Sequence, residues 1–540
     1  MGGAGILLNA GGTITNTGAV RGGLGQGGAG LAYNGTGVVL TSGGLVISGS
    51  KTSSTALIYG QVGVYAGAGG PATVTNFGTI QGIRGVAVQF KSSGDKLIAE
   101  SGSTWIGSVQ GGGGLLDLAN GTGTVTGIGS TGTVSVAEAM TFSGFGSYEF
   151  AKGSWTLAGI NTIGASQSII DKAKITSTGA LTLNGAISSS GALTVAAGTL
   201  AINSGATIAV AAWSLTGGVT SLNETLDFKG AFSQGSAAEL TLASGDKLSL
   251  SGTATISGLI DGGGSLSASN VTVGKGLVIG GTDALTVTGT AIQGGTITIG
   301  DASGAAASLT IAKGANWTIV GAVDIAQGAA TTSSLTVGGS LIRSGATGVS
   351  TILLATTDTG IIEAAAGTLD LANAVSGNGA LKIDAGAVLE LDAAAAKGLT
   401  TTFNGISATL ALKTPATFAS TIAGFAVGDT IDLLKIAATG ASINAKDQLV
   451  IVNGSITVAS LQLTGAYSGA TFTIGSDRHG GTSITLLTAA AAPPAATSPA
   501  PSAQAMVAAM AGLGAGAGVG SMAAAGAQVE AWRPTILARH

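Results

Sequence analysis

The chain contains no cysteine, two histidines and seven prolines in 540 residues. Without thiols there is no disulfide framework, and zinc, haem and iron–sulfur sites lose their usual ligands. Charge is nearly as scarce. Lys and Arg number 21 and Asp and Glu 25, together 9 % of the chain, where an ordinary soluble domain carries roughly 25 %. With fewer cations than anions, no basic stripe is available to neutralise nucleic-acid phosphates. The few charges and the 45 % hydrophobic content also exclude disorder driven by self-repulsion. Aromatics make up 4 %, too few for the core of a large sandwich. No apolar run has the length and strength of a membrane span.

Glycine is abundant, 95 residues, without the strict period of three that collagen needs. Apolar residues come in pairs separated by one residue: Leu181/Leu183, Leu193/Val195, Leu200/Ile202 and Ile208/Val210. Period two over three to five residues, closed by Gly, Asn, Ser or Thr, predicts very short strands, and the rhythm runs from Ile6 to Leu487. An opening phrase recurs at Gly5, Gly37, Gly63 and Gly85 (Gly-Ile-Leu-Leu, Gly-Val-Val-Leu, Gly-Val-Tyr, Gly-Val-Ala-Val), at spacings of 32, 26 and 22. Repeats of this size are the mark of solenoids, whose units bury an apolar face only against their neighbours. The predicted fold is therefore all-β, a right-handed parallel β-helix. Coils of about 22 residues stacked about 4.8 Å apart give a rod on the order of 100 Å.

Four regions are expected: Gly-rich coils with the clearest repeats over 1–130, degenerate coils over 131–410, a C-terminal β module over 411–488, and an Ala/Pro/Gly-rich tail over 489–540, disordered or weakly helical. The tail holds Pro493, Pro494, Pro499 and Pro501 and an uncharged stretch from Ala503 to Val529.

The phrase Gly11-Gly12-Thr13-Ile14-Thr15-Asn16-Thr17-Gly18-Ala19-Val20, echoed from Thr73 to Gly82, resembles the coils of autotransporter passenger domains and related β-strand-repeat surface proteins of Gram-negative bacteria. The runs from Gly85 to Ala119 and from Phe145 to Leu157 are similar to segments that follow such coils. Ile422–Leu433, Leu449-Val450-Ile451, Leu461-Gln462-Leu463 and Asp477-Arg478-His479-Gly480 resemble a module that ends the repeats of large secreted adhesin-like proteins, mostly alphaproteobacterial. The resemblance implies export, display at the cell surface, and adhesion, aggregation or a matrix role. Two departures stand against a complete autotransporter: no signal peptide precedes the first repeat, and no C-terminal barrel strands are visible.

Candidate sites are few. Asp429, Asp432 and Asp477 offer oxygen ligands near a glycine turn, as a calcium ion would need, although Asp429 also suits a turn cap. Asp384, Glu390 and Asp392 are the carboxylates that stacking could gather for glycan chemistry, but Glu390 and Asp392 flank Leu391 on an outward face and suit solvent better. Gly111–Asp117 nearly matches a calcium nonapeptide, with Asp117 one residue late and no second copy. Ser476, Asp477 and His479 mimic a triad, yet His479 fits a surface turn. Trp105, Trp155, Trp213 and Trp317 could stack on sugars, but they share no fixed register and suit packing at coil ends.

The expectation is a non-enzymatic surface or secreted rod, an adhesin or spacer working through many weak contacts, with no cofactor unless calcium. Its partners would be a host surface, a glycan, a matrix component or a second copy, with no nucleic acid and no stable membrane span. The alternative is a self-assembling filament, matrix or surface-layer subunit. A carbohydrate-active β-helix enzyme comes third.

Overall fold

A computed structural model describes residues 2–25, 35–135, 139–345 and 347–488. The expectations for the tail, 489–540, lie outside the described residues. Contacts divide the chain into Met1–Ala490 and Ala491–His540, and all the described residues belong to the first unit.

That unit is a parallel β-solenoid of about 18 turns. Each turn lays down three short strands, as in Ala186–Ser188, Ala192–Val195 and Thr199–Ile202, which belong to three different sheets. The next turn repeats them as Thr207–Ala209, Ala212–Leu215 and Gly218–Leu222. Longer strands such as Lys247–Ile256 and Ala284–Gln293 bend around a corner and pair with two rows at once. Pairing is in register and parallel, so the backbone N–H and C=O groups of one turn are satisfied by the turns above and below.

Side chains alternate in and out with period two. Leu181, Leu183, Leu193, Val195, Leu200, Ile202, Ile208 and Val210 all point inward and are buried, as the apolar pairing predicts. The repeat spacing is also the stacking register at first: Ile6 pairs with Val38, 32 residues on, and Val38 with Val64, 26 on. The third interval departs. Val62 pairs with Val86, 24 residues on rather than 22, after a register shift beyond Gly60. Later turns scatter about the expected 22: Lys174 pairs with Ala192 at 18 and Leu193 with Trp213 at 20, while Ala291 pairs with Trp317 at 26 and Ile297 with Ile325 at 28. About 18 turns at about 4.8 Å give a rod of about 85 Å.

Corners carry the polar work. Gly198, at φ +72, turns one corner in the left-handed region, where a Cβ would also lie 2.2 Å from the Gly179 carbonyl oxygen. Gln234, at the end of its strand, donates from Nε2 to the carbonyls of Ala238 and Leu259 (3.2 and 2.8 Å), and Gln293 does the same to Gly295 and Asp324 (3.0 and 2.9 Å). Arg343 holds the same kind of position, fully buried, and donates to the carbonyls of Gly345, Thr347 and Gly348.

The stack is interrupted in two places. Thr122–Thr126, Gly132–Ser135 and Ala139–Ser143 form an antiparallel excursion near the expected boundary at 130. Beyond Thr430–Leu433, the last parallel strand of its sheet, the chain turns antiparallel. Ile456–Thr464 pairs onto Thr421–Ala423, and Thr482–Thr488 onto Thr430–Leu433, so both sheets of the last turn are covered. The edge strands Gly440–Ile443 and Thr471–Ser476 of this cap come together. The regular coils thus continue past 411, and the cap starts near Gly440.

Candidate functional site

With the core closed, any chemistry toward a partner resides on the outward rows. Two are nearly pure hydroxyl. Thr156, Thr176, Thr194, Ser214, Ser233, Thr255 and Thr272 stack in consecutive turns on one face. Ser249, Ser267, Thr286, Thr310, Thr336, Thr357 and Ser376 stack on another. Neighbours hydrogen-bond along the row in places, Ser233 to Ser214 at 2.8 Å and Thr357 with Ser376 at 3.2 Å. Each hydroxyl both donates and accepts, so the rows offer a repeated, uncharged, hydrogen-bonding surface.

The charged groups form two ladders. Near the N-terminal end Lys96 reaches Asp117 at 2.8 Å and Glu149 at 3.6 Å, and Lys172 reaches Glu149 at 2.6 Å. Burial tends to raise the Glu149 carboxyl, but the hydrogen bond from Lys172 and the charge of Lys96 win and hold it below the ordinary value. Asp117 is raised, because burial outweighs its bond to Lys96. The residue that ends the nonapeptide-like run is therefore engaged by a lysine.

The second ladder lies toward the C-terminal end, where Thr351, Asp370, Glu390, Ala411 and Asp432 occupy one outward row in successive turns. Asp370, Glu390 and Asp392 bring ligand-capable oxygens within 4.8 Å of one another, the one such group of three among the described residues. Burial raises the Asp370 and Glu390 carboxyls, and the neighbouring carboxylates raise them further. Lys413 is ion-paired to Asp392 and offsets part of the repulsion. Glu390, Lys413, Leu434, Lys435, Asp477 and His479 line a cavity of about 210 Å³ beside it.

Of the expected carboxylate group, Glu390 and Asp392 do meet, but their companion is Asp370, one turn earlier. Asp384 lies on a different sheet and accepts a hydrogen bond from Asn404 at 2.7 Å. Asp370 precedes Glu390 by 20 residues, one local turn, and that spacing is the signal by which the sequence could have revealed it.

The calcium candidates do not converge. Asp429 turns inward, 1 % exposed, and its two oxygens accept the N–H of Ala408, one turn back, at 3.1 Å and of Ala426 at 3.0 Å. Asp95 makes the same arrangement with Ala72, Lys91 and Ser92. Both are turn caps. Asp432 faces outward, its carboxyl raised by burial and then by the charge of Asp477. Asp477 accepts the backbone N–H groups of His479 and Gly481 at 2.7 and 2.8 Å, which helps hold it low. Ser476 likewise accepts the N–H of Arg478. The apparent triad is thus a turn with His479 exposed, as expected for a surface residue.

The tryptophans correct the sequence reading. Trp155 stacks through Ile175 and Leu193 onto Trp213, and the row continues through Phe232, Ala254, Val271 and Ala291 to Trp317. They share one inward row and are at most 1 % exposed. Trp105, 6 % exposed, is also buried. None presents a ring to a sugar, because each fills the core. Trp213 packs edge-on against Phe228 and Phe232 at 5.5 and 5.3 Å.

Comparison with protein-family models, curated proteins and solved structures yielded no match. Among the described residues no helix is long and apolar enough to cross a membrane.

Proposed function

We propose that the chain is a non-enzymatic rod, secreted or displayed at a bacterial surface, that acts as an adhesin or spacer. The observation that carries the reading is the pair of Ser/Thr rows, each running for seven consecutive turns, on the outside of a continuously packed core. Each hydroxyl contributes little, but a partner that spans many turns engages many at once, and linked weak contacts add as avidity. Low charge leaves few ionised groups to desolvate when an uncharged glycan or matrix polymer docks. Of the outward carboxylates, Asp117, Glu149 and Asp392 are bonded to lysines and Asp477 to backbone N–H groups, which favours structural roles for these four over acid–base catalysis.

The filament alternative needs two open ends. The strands laid over the last turn, Ile456–Thr464 in parallel and Thr482–Thr488 antiparallel, oppose head-to-tail stacking at that end, because they replace the coil edge that a second copy would extend. Protease treatment of intact cells, followed with an antibody to residues 139–488, tests the placement. Loss of signal without lysis is expected, and a protected signal refutes surface display. Electron microscopy of the purified chain tests the rest: single rods of about 85 Å are expected, and long unbranched fibres at high concentration would favour the filament.

A further inference from the structure

Four residues occupy equivalent places at one corner of the solenoid, each at the end of a strand and just before the chain turns into the next one. They are Asn16, Asn76, Asp171 and Asp358, all buried. In each, Oδ1 accepts the backbone N–H two residues on: Gly18 at 3.1 Å, Gly78 at 3.0 Å, Ala173 at 3.0 Å and Gly360 at 2.9 Å. The asparagines use their other atom as well. Nδ2 of Asn16 donates to the Leu57 carbonyl at 3.1 Å, and Nδ2 of Asn76 to the Thr104 carbonyl at 3.3 Å. In both cases the acceptor lies on the following turn, opposite the residue three beyond the asparagine: Ala19 faces Leu57, and Thr79 faces Thr104.

The aspartates keep the first half of this arrangement and lack the second. Oδ2 of Asp171 and Oδ2 of Asp358 are buried with no hydrogen-bond partner. By the same register the acceptor on the following turn is the Ala192 carbonyl for Asp171, because Lys174 faces Ala192. For Asp358 it is the Ala380 carbonyl, because Ile361 faces Ala380. The following turn also closes over each carboxyl with a glycine: a Cβ on Gly191 would lie 2.2 Å from Asp171 Oδ1, and one on Gly379 2.3 Å from Asp358 Oδ2. Among the described residues no counter-charge compensates: burial and one backbone N–H alone act on each carboxyl. The register neighbours of Asp171 and Asp358 are Phe150, Val337 and Gly377. Charged side chains on the adjacent strands, Glu149 near Asp171 in register and Glu363 and Lys382 on the strands that follow Asp358, lie on outward rows. Lys172 and Lys174 come after Asp171 in the chain, and neither appears among the influences on its carboxyl.

We propose that Asp171 and Asp358 are proton-operated versions of the asparagine corner: each works as the neutral acid, its Oδ2–H donating to the Ala192 or Ala380 carbonyl, so that mild acid tightens the seam between consecutive turns. Burial pushes both carboxyls up to about 6, which places the transition between the acidic and neutral ranges. Linkage sets the sign. The folded acid holds its proton more tightly than the unfolded one, so the local seam is strongest in mild acid and weakens as pH rises through about 6. From an ordinary carboxyl near 3.9, the change between pH 5 and pH 7.5 is about tenfold in the local opening constant at each corner.

Hydrogen–deuterium exchange of the intact chain, corrected for the intrinsic pH dependence of exchange, reads each corner separately. The expected result is about tenfold greater protection at pH 5 than at pH 7.5 in the turns containing Gly191–Val195 and Gly379–Ile383. In Asp171→Asn and Asp358→Asn the corresponding corner is expected to be protected at pH 7.5 as the wild type is at pH 5, with the difference abolished. Asp283, raised by burial to about 7, sits outside both segments and serves as the internal control. Equal protection at both pH values in the wild type overturns the proposal. So does a pH response that survives in the asparagine variants. Infrared difference spectra between pH 7.5 and 5 test it a second way: the protonated carboxyl band of the wild type is expected to be larger than that of the Asp171→Asn/Asp358→Asn double variant, in which Asp283 still titrates, and equal bands overturn the proposal.

Discussion

Replacing Asp429 by Ala separates a turn cap from a metal ligand. In the folded chain the carboxylate accepts two N–H groups whose situations differ. Ala408 is fully buried, so its N–H, bonded to Oδ1 at 3.1 Å, is left unpaired when the side chain is removed. Ala426 is exposed and its N–H can turn to water. Stranding a buried donor costs about 1–3 kcal/mol, and exchanging a protein bond for a water bond about 0.5–1 kcal/mol. Against this stands relief of burying a carboxylate, since burial raises Asp429 above its ordinary value. The net expectation is a loss of about 2–3 kcal/mol, confined to the turns around Ala408 and Thr430. Asp429→Asn keeps one acceptor and is expected to lose about half as much. Exchange protection of residues 395–433 is the assay, because opening in a solenoid is local and a single melting temperature averages over turns. Calcium at millimolar concentration is expected to change nothing in either form. The reasoning is refuted if Asp429→Ala leaves protection intact, or if calcium raises protection in the wild type and not in the variant.

Three further outcomes are expected. Trp213→Ala removes a fully buried ring packed on Phe228 and Phe232 and costs about 3–5 kcal/mol by unfolding of the surrounding turns, whereas binding of any glycan to the Trp532→Phe variant, which keeps the four buried tryptophans, leaves its tryptophan fluorescence unchanged; a ligand-induced spectral shift would contradict the buried row. Asp370→Asn relieves a half-buried carboxylate that burial and Asp392 hold above its usual value. Such a group destabilises as pH rises through its folded pKa, so the variant is expected to protect its turns better at pH 7 and equally at pH 3, and a loss at pH 7 would argue against repulsion in this ladder. Glu149, held low by Lys172 and Lys96, contributes stability that is present above the ordinary carboxylate range and lost as pH falls through it. Glu149→Gln should therefore weaken the turn by about 0.5–1 kcal/mol at pH 7 in low salt and by nothing at pH 2, as measured by exchange at the two pH values.

The strands were legible because a short period-two pattern is a local property: one residue in, one out, whatever the neighbouring turn does. The stacking register was legible only where the phrase itself repeats, from Ile6 to Val38 to Val64. Beyond that, corners lengthen and shorten without disturbing the strands, so a search for one fixed interval loses the row. This is why Trp155, Trp213 and Trp317 look unrelated in sequence although one inward row holds all three. The same variability hid Asp370 behind Glu390 and made Asp384, nearer in sequence, look like the better companion. The asparagine phrase was visible as a repeat, but its purpose was not, because the carbonyl that Asn16 reaches lies 41 residues away at Leu57. Asp429 was ambiguous for the same reason: its decisive partner is Ala408, 21 residues earlier.

The direction of the hydrogen bonds has a mechanical consequence. They run between turns, along the length of the solenoid, so tension applied to its two ends loads only the few bonds of the outermost turn at any moment. Failure then travels from an end inward, one turn after another. A turn of 20 residues, as from Leu193 to Trp213, extends to about 65 Å once released and occupied about 5 Å while stacked. Each event of that size therefore lengthens the chain by about 60 Å, and a force–extension trace of this protein should show a long plateau or a train of small teeth whose spacing follows the turn lengths, in place of one tall rupture. A rod built this way yields gradually under flow or shear, and a contact at its far end outlasts a pull that would snap a rigid link.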